Sequence, residues 1–474
     1  MPVNQFPGKR FMKLQKITIA VIAATAMLSL GSCNIYKKYQ TPTSTPLTKA
    51  YAEAREAEQD STAFGNLLWE DVFTDPLLAE LINKALQNNT SLENARLNVE
   101  VARANMRGAR LSYLPSVAIA PNGAGASYAG SDLAWTYQIP AQVSWEIDIF
   151  GKILNNKRGA ESQVKKSEAY AQAVRSQIIS AVATTYYSIA AINSQLALSR
   201  STAVLWEQSV QTMKNLKEAG RVTEAAVVQS TANYYSILSS ITDLEVTADQ
   251  LNNTMSLLLN TMPQRWSVTS TVDLQVPRIL REGVPMRELA ARPDVRAAEQ
   301  DLAVAYYATN SARAAFYPGL NITANGGFTN LLGSVVKNPG DWFYQLAGSL
   351  VAPLFSRGQN IARLQASKVQ QEQAMNNFEY TLLSASAEVS DALTVYEKSL
   401  EKSEYLAEQV SNLERSVEYT NELLLYSGST TYLEVLTAQQ NLLSSQMNRI
   451  NTDLTRARSV INLYQSLAAV VDCL

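Results

Sequence analysis

Cys33 is the residue of this sequence with the clearest capacity for covalent chemistry. It directly follows Leu30, Gly31 and Ser32, and before these lie an apolar run over 17–30 and the basic residues Lys9, Arg10, Lys13 and Lys16. This order is typical of a bacterial lipoprotein signal peptide, in which the cysteine sulfur receives a diacylglycerol. We predict a signal peptide over 1–32, starting at Met1 or Met12, and a covalent lipid on Cys33. An uncleaved anchor helix is the alternative.

The residue after this cysteine bears on where a lipoprotein is sorted. In many Gram-negative bacteria an aspartate at that position holds lipoproteins at the inner membrane, whereas this sequence has Asn34. We therefore predict an outer-membrane location, with outer-membrane lipid as a partner.

The remaining sequence offers few groups for catalysis. It contains no histidine, and Cys473 is the only other cysteine. The lack of histidine excludes Ser–His and Cys–His nucleophile pairs and every metal site that uses His. There is no phosphate-binding or dinucleotide-binding motif, and the acidic residues are scattered along predicted helices. We therefore predict no enzyme activity and neither a cofactor nor a metal site.

The net charge argues against nucleic acid as a partner. The formal value is −2, and removal of residues 1–32, which carry four positive charges and no negative ones, moves it to −6. Binding of a polyanion depends on clustered positive charge, whereas Lys and Arg are interspersed with Glu and Asp here. We predict no nucleic-acid binding.

Two regions show the alternation of a β-strand with one apolar face. Residues 135–147 alternate apolar and polar side chains without a break, and residues 342–351 do so more weakly. Before each region lies a second candidate strand, 116–127 and 319–328, which starts just after Pro115 or Pro318. Each half of the chain is therefore predicted to form a β-hairpin, at about 116–148 and about 319–354.

Each predicted hairpin is followed by two very long helices. No Gly or Pro occurs over 160–219, and after Gly220 the helical pattern resumes over 222–262. The second half repeats the scheme with a helix over 359–426, Gly428 and a segment over 429–474. The 68-residue segment alone would reach about 100 Å. Within it a heptad-like seam indicates coiled-coil packing, with the residues Phe378, Leu382, Ala385, Val389, Ala392, Tyr396, Leu406, Val410, Leu413 and Val417.

The duplication suggests how the chain could cross a membrane. Beyond Leu30 there is no apolar run near 18 residues, so we expect any crossing to use strands. Four strands cannot close a barrel, and open strand edges are not stable in lipid, so several copies must contribute. Three copies would give twelve strands.

Taken together, the motifs and the repeat of this sequence resemble the TolC-like outer-membrane efflux family, in particular its lipidated branch. The resemblance covers essentially the whole chain after Cys33. Its marks are Trp69, Phe73, Asp75, Leu77, Leu78, Leu81, Ile82, Ala85 and Leu86; the segment 144–151; Arg292, Pro293, Asp294, Val295, Ala298 and Glu299; and Gly428, Tyr432, Leu433, Leu436, Ala438 and Gln439.

This resemblance implies a mixed α+β membrane protein with an internal two-fold repeat. The expected assembly is a homotrimer with a 12-stranded transmembrane β-barrel, four strands per chain, continued by a periplasmic α-helical coiled-coil barrel. Its expected function is the exit duct of a tripartite efflux pump, which passes small molecules outward. The expected partners are a periplasmic adaptor protein and an inner-membrane transporter of the RND type.

The resemblance also places a periplasmic aperture at the two helical hairpin tips. The corresponding residues here are Gly220, Arg221, Glu224, Tyr426, Gly428, Thr430, Tyr432 and Glu434. Many relatives have an aspartate where this chain has Thr430, so closure by a charged ring there is in doubt, and apolar closure by Tyr426 or Tyr432 is an alternative. A bulky β-branched residue at Gly428 is expected to impair the tip, and unchanged drug resistance would count against the assignment.

Three tryptophans are candidates for the aromatic girdle at a lipid interface: Trp135, Trp145 and Trp342. Burial against a neighbouring helix is the alternative for each. The predicted organisation is 33–68 as a lipidated equatorial segment, 69–263 as the first repeat, 264–290 as a connector and 291–474 as the second repeat.

Three other functions remain open from the sequence. One is a coiled-coil lipoprotein that spaces or tethers the cell envelope without forming a channel, and another is the outer-membrane component of a type I secretion system. The third is a lipoprotein enzyme that acts through carboxylates, which would need a compact second domain with convergent acids that neither half offers. The unbroken alternation over 135–147 argues against the tether.

Overall fold

The computed structural model describes residues 36–56, 69–127, 132–269, 286–332, 335–427 and 430–467. Cys33 and Gly428 lie outside these ranges. The helices are α1 (Pro46–Glu56), α2 (Trp69–Val72), α3 (Pro76–Asn88), α4 (Thr90–Leu111), α5 (Lys152–Glu218), α6 (Glu224–Leu258), α7 (Met286–Ala291), α8 (Pro293–Ala314), α9 (Gln359–Glu422) and α10 (Tyr432–Leu467). The strands are β1 (Ser116–Ile119), β2 (Asn122–Ala126), β3 (Ala134–Ile147), β4 (Gly319–Leu332) and β5 (Val335–Val351).

The chain forms two compact units that do not follow the two sequence repeats. One unit combines described residues of Met1–Thr41, Asn98–Ser167 and Ala297–Phe378, and it holds all five strands. The other combines described residues of Pro42–Leu97, Glu168–Arg296 and Glu379–Leu474, and it holds both helical hairpin tips. Each unit therefore draws residues from both halves of the sequence.

The strands form one antiparallel sheet. β1 and β2 pair with β3, β3 pairs with β4, and β4 pairs with β5. The strand predicted from the alternation over 135–147 is confirmed as β3. The sequence predicted a hairpin in each half but not the β3–β4 pairing, in which Gln138 lies opposite Thr329 and Ile147 opposite Leu320.

The first predicted strand, 116–127, is divided into β1 and β2. Ile119 pairs with Ala141 and Asn122 pairs with Gln138, so both segments share one register on β3. The ladder is interrupted at Pro121, because proline has no N–H to donate to a neighbouring strand. The last strand is longer than predicted, since β5 begins at Val335, ahead of the alternating residues.

The two faces of this sheet differ in polarity. Large apolar side chains on one face are exposed to solvent, including Val117, Ile119, Trp135, Ile139, Trp145, Trp342, Tyr344, Leu346 and Leu350. The opposite face carries short polar and amide side chains on the alternate residues. A folded soluble domain would bury such an apolar face, so its exposure marks a surface that contacts another apolar medium or molecule.

The long helices are close to their predicted bounds, except that α5 starts at Lys152 and includes Gly159. The predicted seam of α9 is largely buried, from Phe378 and Ala385, which are fully buried, to Val410. Leu413 and Val417 are partly buried. Among the described residues, no helix is both long and apolar enough to cross a membrane.

Candidate functional site

The first hairpin tip joins α5 to α6 through a glycine in the left-handed region. Gly220 has φ +70°. The N–H of Arg221 donates to Leu216 O at 2.9 Å, and the N–H of Gly220 donates to Lys217 O at 2.9 Å. These two bonds form a Schellman cap, which satisfies the last carbonyls of the helix and favours glycine at this position. The predicted break at Gly220 is therefore a defined turn.

The charged residues at this tip have partners within the chain. Lys217 forms an ion pair with Glu224 across the turn. Arg221 Nη1 donates to Leu425 O at 3.3 Å, which lies at the end of the other helical hairpin. Arg221 thus connects the two tips, whereas the Lys217–Glu224 pair lies within one tip. No residue pattern indicated the Leu425 carbonyl as a partner of Arg221.

The second tip differs from the first. After α9 the chain widens into a π-helix over Leu423–Ser427, which the sequence pattern did not predict. Tyr426 lies in this turn with 85% of its surface exposed. At the start of α10 the Thr430 hydroxyl donates to a carboxylate oxygen of Glu434. Short π-helical turns frequently occur at functional positions.

A hydrophobic cluster lies beneath both tips. It contains residues of α5, α6 and α10 and one residue of the π-turn that follows α9. Its buried members are Met213, Ala226, Val227, Leu424 and Val435, with Leu216, Val222 and Tyr432 packed against them. Tyr432 therefore contributes to the core of this chain, while Tyr426 remains exposed. The two aromatic residues that the sequence offered for closure thus have different surroundings.

The three predicted girdle tryptophans lie on the apolar face of the sheet. Trp135 and Trp342 are exposed, and Trp342 forms an edge-to-face contact with Phe328, with ring centroids 5.1 Å apart. Trp145 is less exposed, and its Nε1 donates to Tyr113 O at 2.9 Å. An amphipathic ring with one satisfied polar group suits a membrane–water interface.

The residues at the start of the first repeat have a structural role. Asp75 caps α3 by accepting from Leu77 N at 2.9 Å, and its other oxygen accepts from the Tyr186 hydroxyl at 2.7 Å. Burial alone would raise the pKa of Asp75, but hydrogen bonds from Tyr186, Thr269 and the α3 backbone lower it overall. The carboxylate therefore stays ionised at neutral pH and stabilises the helix start.

The second repeat starts with a buried arginine. Arg292 has a side chain only 5% exposed, and it donates to Asp294 and Glu388, each at 2.7 Å. Burial would lower the pKa of Arg292, but these two carboxylates raise it overall. Arg292 thus ties the start of α8 to α9, which explains the Arg–Pro–Asp–Val motif in structural terms.

The segment after β3 also has a definite local structure. Asp148 accepts from Leu154 N at 2.7 Å and so caps α5, while Gly151 has φ +71°. Phe150 stacks on Tyr317, with centroids 4.8 Å apart. In the described ranges, no group of three or more acidic or cysteine residues has a geometry that could hold a metal ion.

Comparison with known proteins identifies the type of molecule to which this sheet and these tips belong. The family model for outer membrane efflux proteins matches residues 81–261 and 284–469. The chain belongs to the outer membrane efflux protein family. The matched residues include Arg292, whereas Asp75 lies ahead of them.

Relatives of this efflux family match over almost their whole length. The chain is 26% identical over 462 residues to the probable outer membrane lipoprotein SilC of Salmonella typhimurium, covering 96% of this chain and 98% of that protein. It is 28% identical over 465 residues to the toluene efflux pump outer membrane protein TtgC of Pseudomonas putida, with 94% of each chain covered.

A solved structure in the same group shows the same fold. The outer membrane channel MtrE of Neisseria gonorrhoeae, solved in its open state, superposes with a TM-score of 0.76 at 24% identity, covering 91% of this chain and 97% of MtrE. The MtrE match shows the fold, while the function follows from the family and from relatives such as TtgC: the protein is an outer-membrane channel protein of an efflux pump, and the tether hypothesis is set aside.

Proposed function

We propose that three copies of this chain form one duct, in which the strands cross the outer membrane and the helices line a passage on the periplasmic side. The duct would receive small molecules from a periplasmic adaptor and an inner-membrane transporter of the RND type. The observation that carries this proposal is the sheet, with its apolar face exposed and its two outer edges open.

The outer edges of the sheet carry backbone groups that could pair with strands of other copies. β1 and β2 pair only with β3, and β5 pairs only with β4 among the described strands. Unpaired backbone groups are not tolerated in the hydrocarbon region of a membrane. If β5 of one copy pairs with β1 and β2 of the next, three copies close a ring of twelve strand positions without an edge. Such head-to-tail contacts form a closed ring when the rotations between successive copies add up to one full turn.

The long helices also expose apolar side chains that one chain does not cover. On α6 these are Val228, Tyr235, Val246 and Leu257, and on α9 they are Tyr380, Leu383, Tyr405 and Tyr419. Rows of exposed apolar residues on long helices are typical of surfaces that contact other helices. Contact between α6 of one copy and α9 of the next would bury both rows.

The aperture is assigned to the hairpin tips. Arg221 holds the first tip to the second through Leu425 O, and the exposed Tyr426 is available to face equivalent residues of other copies. Loss of the Arg221 contact would weaken the connection between the two tips, which would then be held by the hydrophobic cluster. Glu224, Thr430, Tyr432 and Glu434 have contacts within one chain and would shape the tips, and Gly428 would supply the turn of the second one.

The lipid anchor and the girdle complete the proposal. The relative SilC is named a lipoprotein, which supports acylation of Cys33. Trp135, Trp145 and Trp342 would lie where the apolar face of the sheet meets water. The segments 33–68 and 264–290 would contribute to an equatorial region. The relative TtgC is named as the outer membrane protein of a toluene efflux pump, which supports other pump components as partners of this chain.

The test is the mass of the purified, detergent-solubilised protein together with its single-channel conductance in a planar bilayer. We expect a trimer with a small, flickering conductance, and a larger open fraction for Arg221→Met. Glu224→Gln is the matched control, because its ion pair lies within one tip, and its open fraction should remain that of the wild type. A monomer without conductance would overturn the duct, and equal effects of both substitutions would overturn the role of Arg221.

A further inference from the structure

The polar face of the sheet is almost free of charge. Adjacent strands place Gln142 opposite Asn325 and Asn325 opposite Gln345, which gives a row of three amides. The next row towards α5 comprises Ser144, Thr323 and Ala347, and the row after it comprises Glu146, Asn321 and Ser349. Side chains in one such row point to the same side of the sheet.

Among the residues of the five strands, three carry a charge: Glu146, Lys337 and Asp341. Each carboxylate has a cation beside it. Lys152 Nζ lies 2.9 Å from Glu146 Oε1, and Lys337 Nζ lies 3.2 Å from Asp341 Oδ2. The polar face is therefore close to neutral at both ends.

The position of Lys152 is unfavourable for the helix that carries it. Lys152 is the first residue of α5, and a positive charge at a helix N-terminus is opposed by the helix dipole. Asp148, the other carboxylate in this turn, accepts from Leu154 N and caps the helix. The ion pair with Glu146 therefore explains why a lysine occupies position 152, since its charge does not stabilise α5.

We propose that Lys152 neutralises Glu146 at the end of the sheet next to α5, and that this pair determines how strongly the channel discriminates between cations and anions. The inference rests on the proposed trimer, in which three copies would place three Glu146–Lys152 pairs around one passage. Rings of carboxylates favour cations and rings of basic side chains favour anions. Because the two charges of the pair cancel, the ring favours neither cations nor anions, and solutes of either charge pass.

The effect of an unpaired charge on ion selectivity depends on the distance between a passing ion and the ring of Glu146–Lys152 pairs. A unit charge about 7 Å away in water changes the local concentration of a monovalent ion roughly two- to threefold. Since both side chains of the pair are between 40% and 46% exposed, the contact adds little to stability, and substituted proteins should fold.

The test measures the K⁺/Cl⁻ permeability ratio from reversal potentials under a tenfold KCl gradient, with purified full-length protein. Lys152→Met leaves Glu146 unpaired and should raise the ratio about four- to ninefold, because K⁺ is enriched and Cl⁻ is depleted by about two- to threefold each, whereas Glu146→Gln should lower it by a similar factor. The double substitution should restore the ratio of the wild type. Lys49→Met is the matched control, because it removes the same charge from a Lys–Glu pair on α1, which contributes no residue to the sheet.

The outcomes separate this inference from the duct itself. If all variants are conducting trimers and the ratio stays constant, the Glu146–Lys152 inference is wrong and the duct stands. If Lys49→Met shifts the ratio as much as Lys152→Met, the effect is not local and the inference is again wrong. If the wild type gives no conductance, the duct fails and the inference fails with it.

Discussion

The two hairpin tips perform the same connection by different means. At the first tip, α5 ends in a Schellman cap with a left-handed glycine, in which the N–H groups of two successive residues bond to the last turn of the helix. The second leaves α9 through a π-turn that exposes Tyr426. Both tips rest on the same hydrophobic cluster. The difference is that backbone hydrogen bonds define the first tip, whereas the second presents an exposed aromatic side chain.

The largest effect is expected from removal of the support that both tips share. Leu424→Ala should destabilise the tips by about 3 kcal/mol, because it leaves a cavity among residues of α5, α6 and α10. Hydrogen exchange should then accelerate in peptides covering 213–227 as well as 424–435. Leu425→Ala is the matched control, since that side chain is 43% exposed and its carbonyl remains. Acceleration confined to one tip would show that the cluster does not couple them.

A smaller effect, limited to the first tip, is expected from Gly220→Val. A Cβ at this position would have no neighbour within 4 Å, so the penalty comes from the left-handed backbone alone. That penalty is roughly 1–2 kcal/mol for a residue with a side chain, and less for Gly220→Asn. Local hydrogen exchange at 216–224 reports it. Equal exchange in both variants would contradict the Schellman assignment.

At the second tip, Thr430→Val removes the hydroxyl that donates to Glu434 while keeping the size of the side chain. The expected loss is about 0.5–1 kcal/mol, since one partly exposed hydrogen bond disappears. Exchange of amides at the start of α10 should increase, and the first tip should be unaffected. An effect at 216–224 would mean that the two tips are more tightly coupled than their contacts suggest.

The smallest effect is expected from Glu224→Gln, which breaks the ion pair with Lys217. Both side chains are about half exposed, so the contribution to stability should be below about 0.5 kcal/mol. Unfolding midpoints in high and low salt should match those of the wild type. A clear loss at low salt would show that this pair, and not the cap, holds the first tip closed.

Much of the fold was accessible from the sequence because its signals are periodic and local. The alternation of β3, the seam of α9 and the break at Gly220 each follow from spacing or from one residue's conformational preference. The interruption at Pro121 and the π-turn were not predicted, since each depends on how neighbouring segments pair or pack.

The site was less accessible than the fold. The sequence located both helical hairpin tips and placed the three tryptophans on strands, but the partners of these residues are backbone carbonyls and side chains distant in the chain. Arg221 bonds to Leu425 O, and Trp145 bonds to Tyr113 O. Backbone acceptors leave no signature in residue type, so such contacts appear only in three dimensions.

The pairing of β3 with β4 has a consequence for how the chain folds. Partners such as Ile147 and Leu320 lie on opposite sides of both α5 and α6 along the chain. As long as β4 is not in place, β3 lacks this partner and one of its edges stays open, which is a hazard for aggregation. Contacts so distant in sequence also form slowly. The sheet therefore becomes complete only when residues of both halves are present, and neither repeat can form it alone.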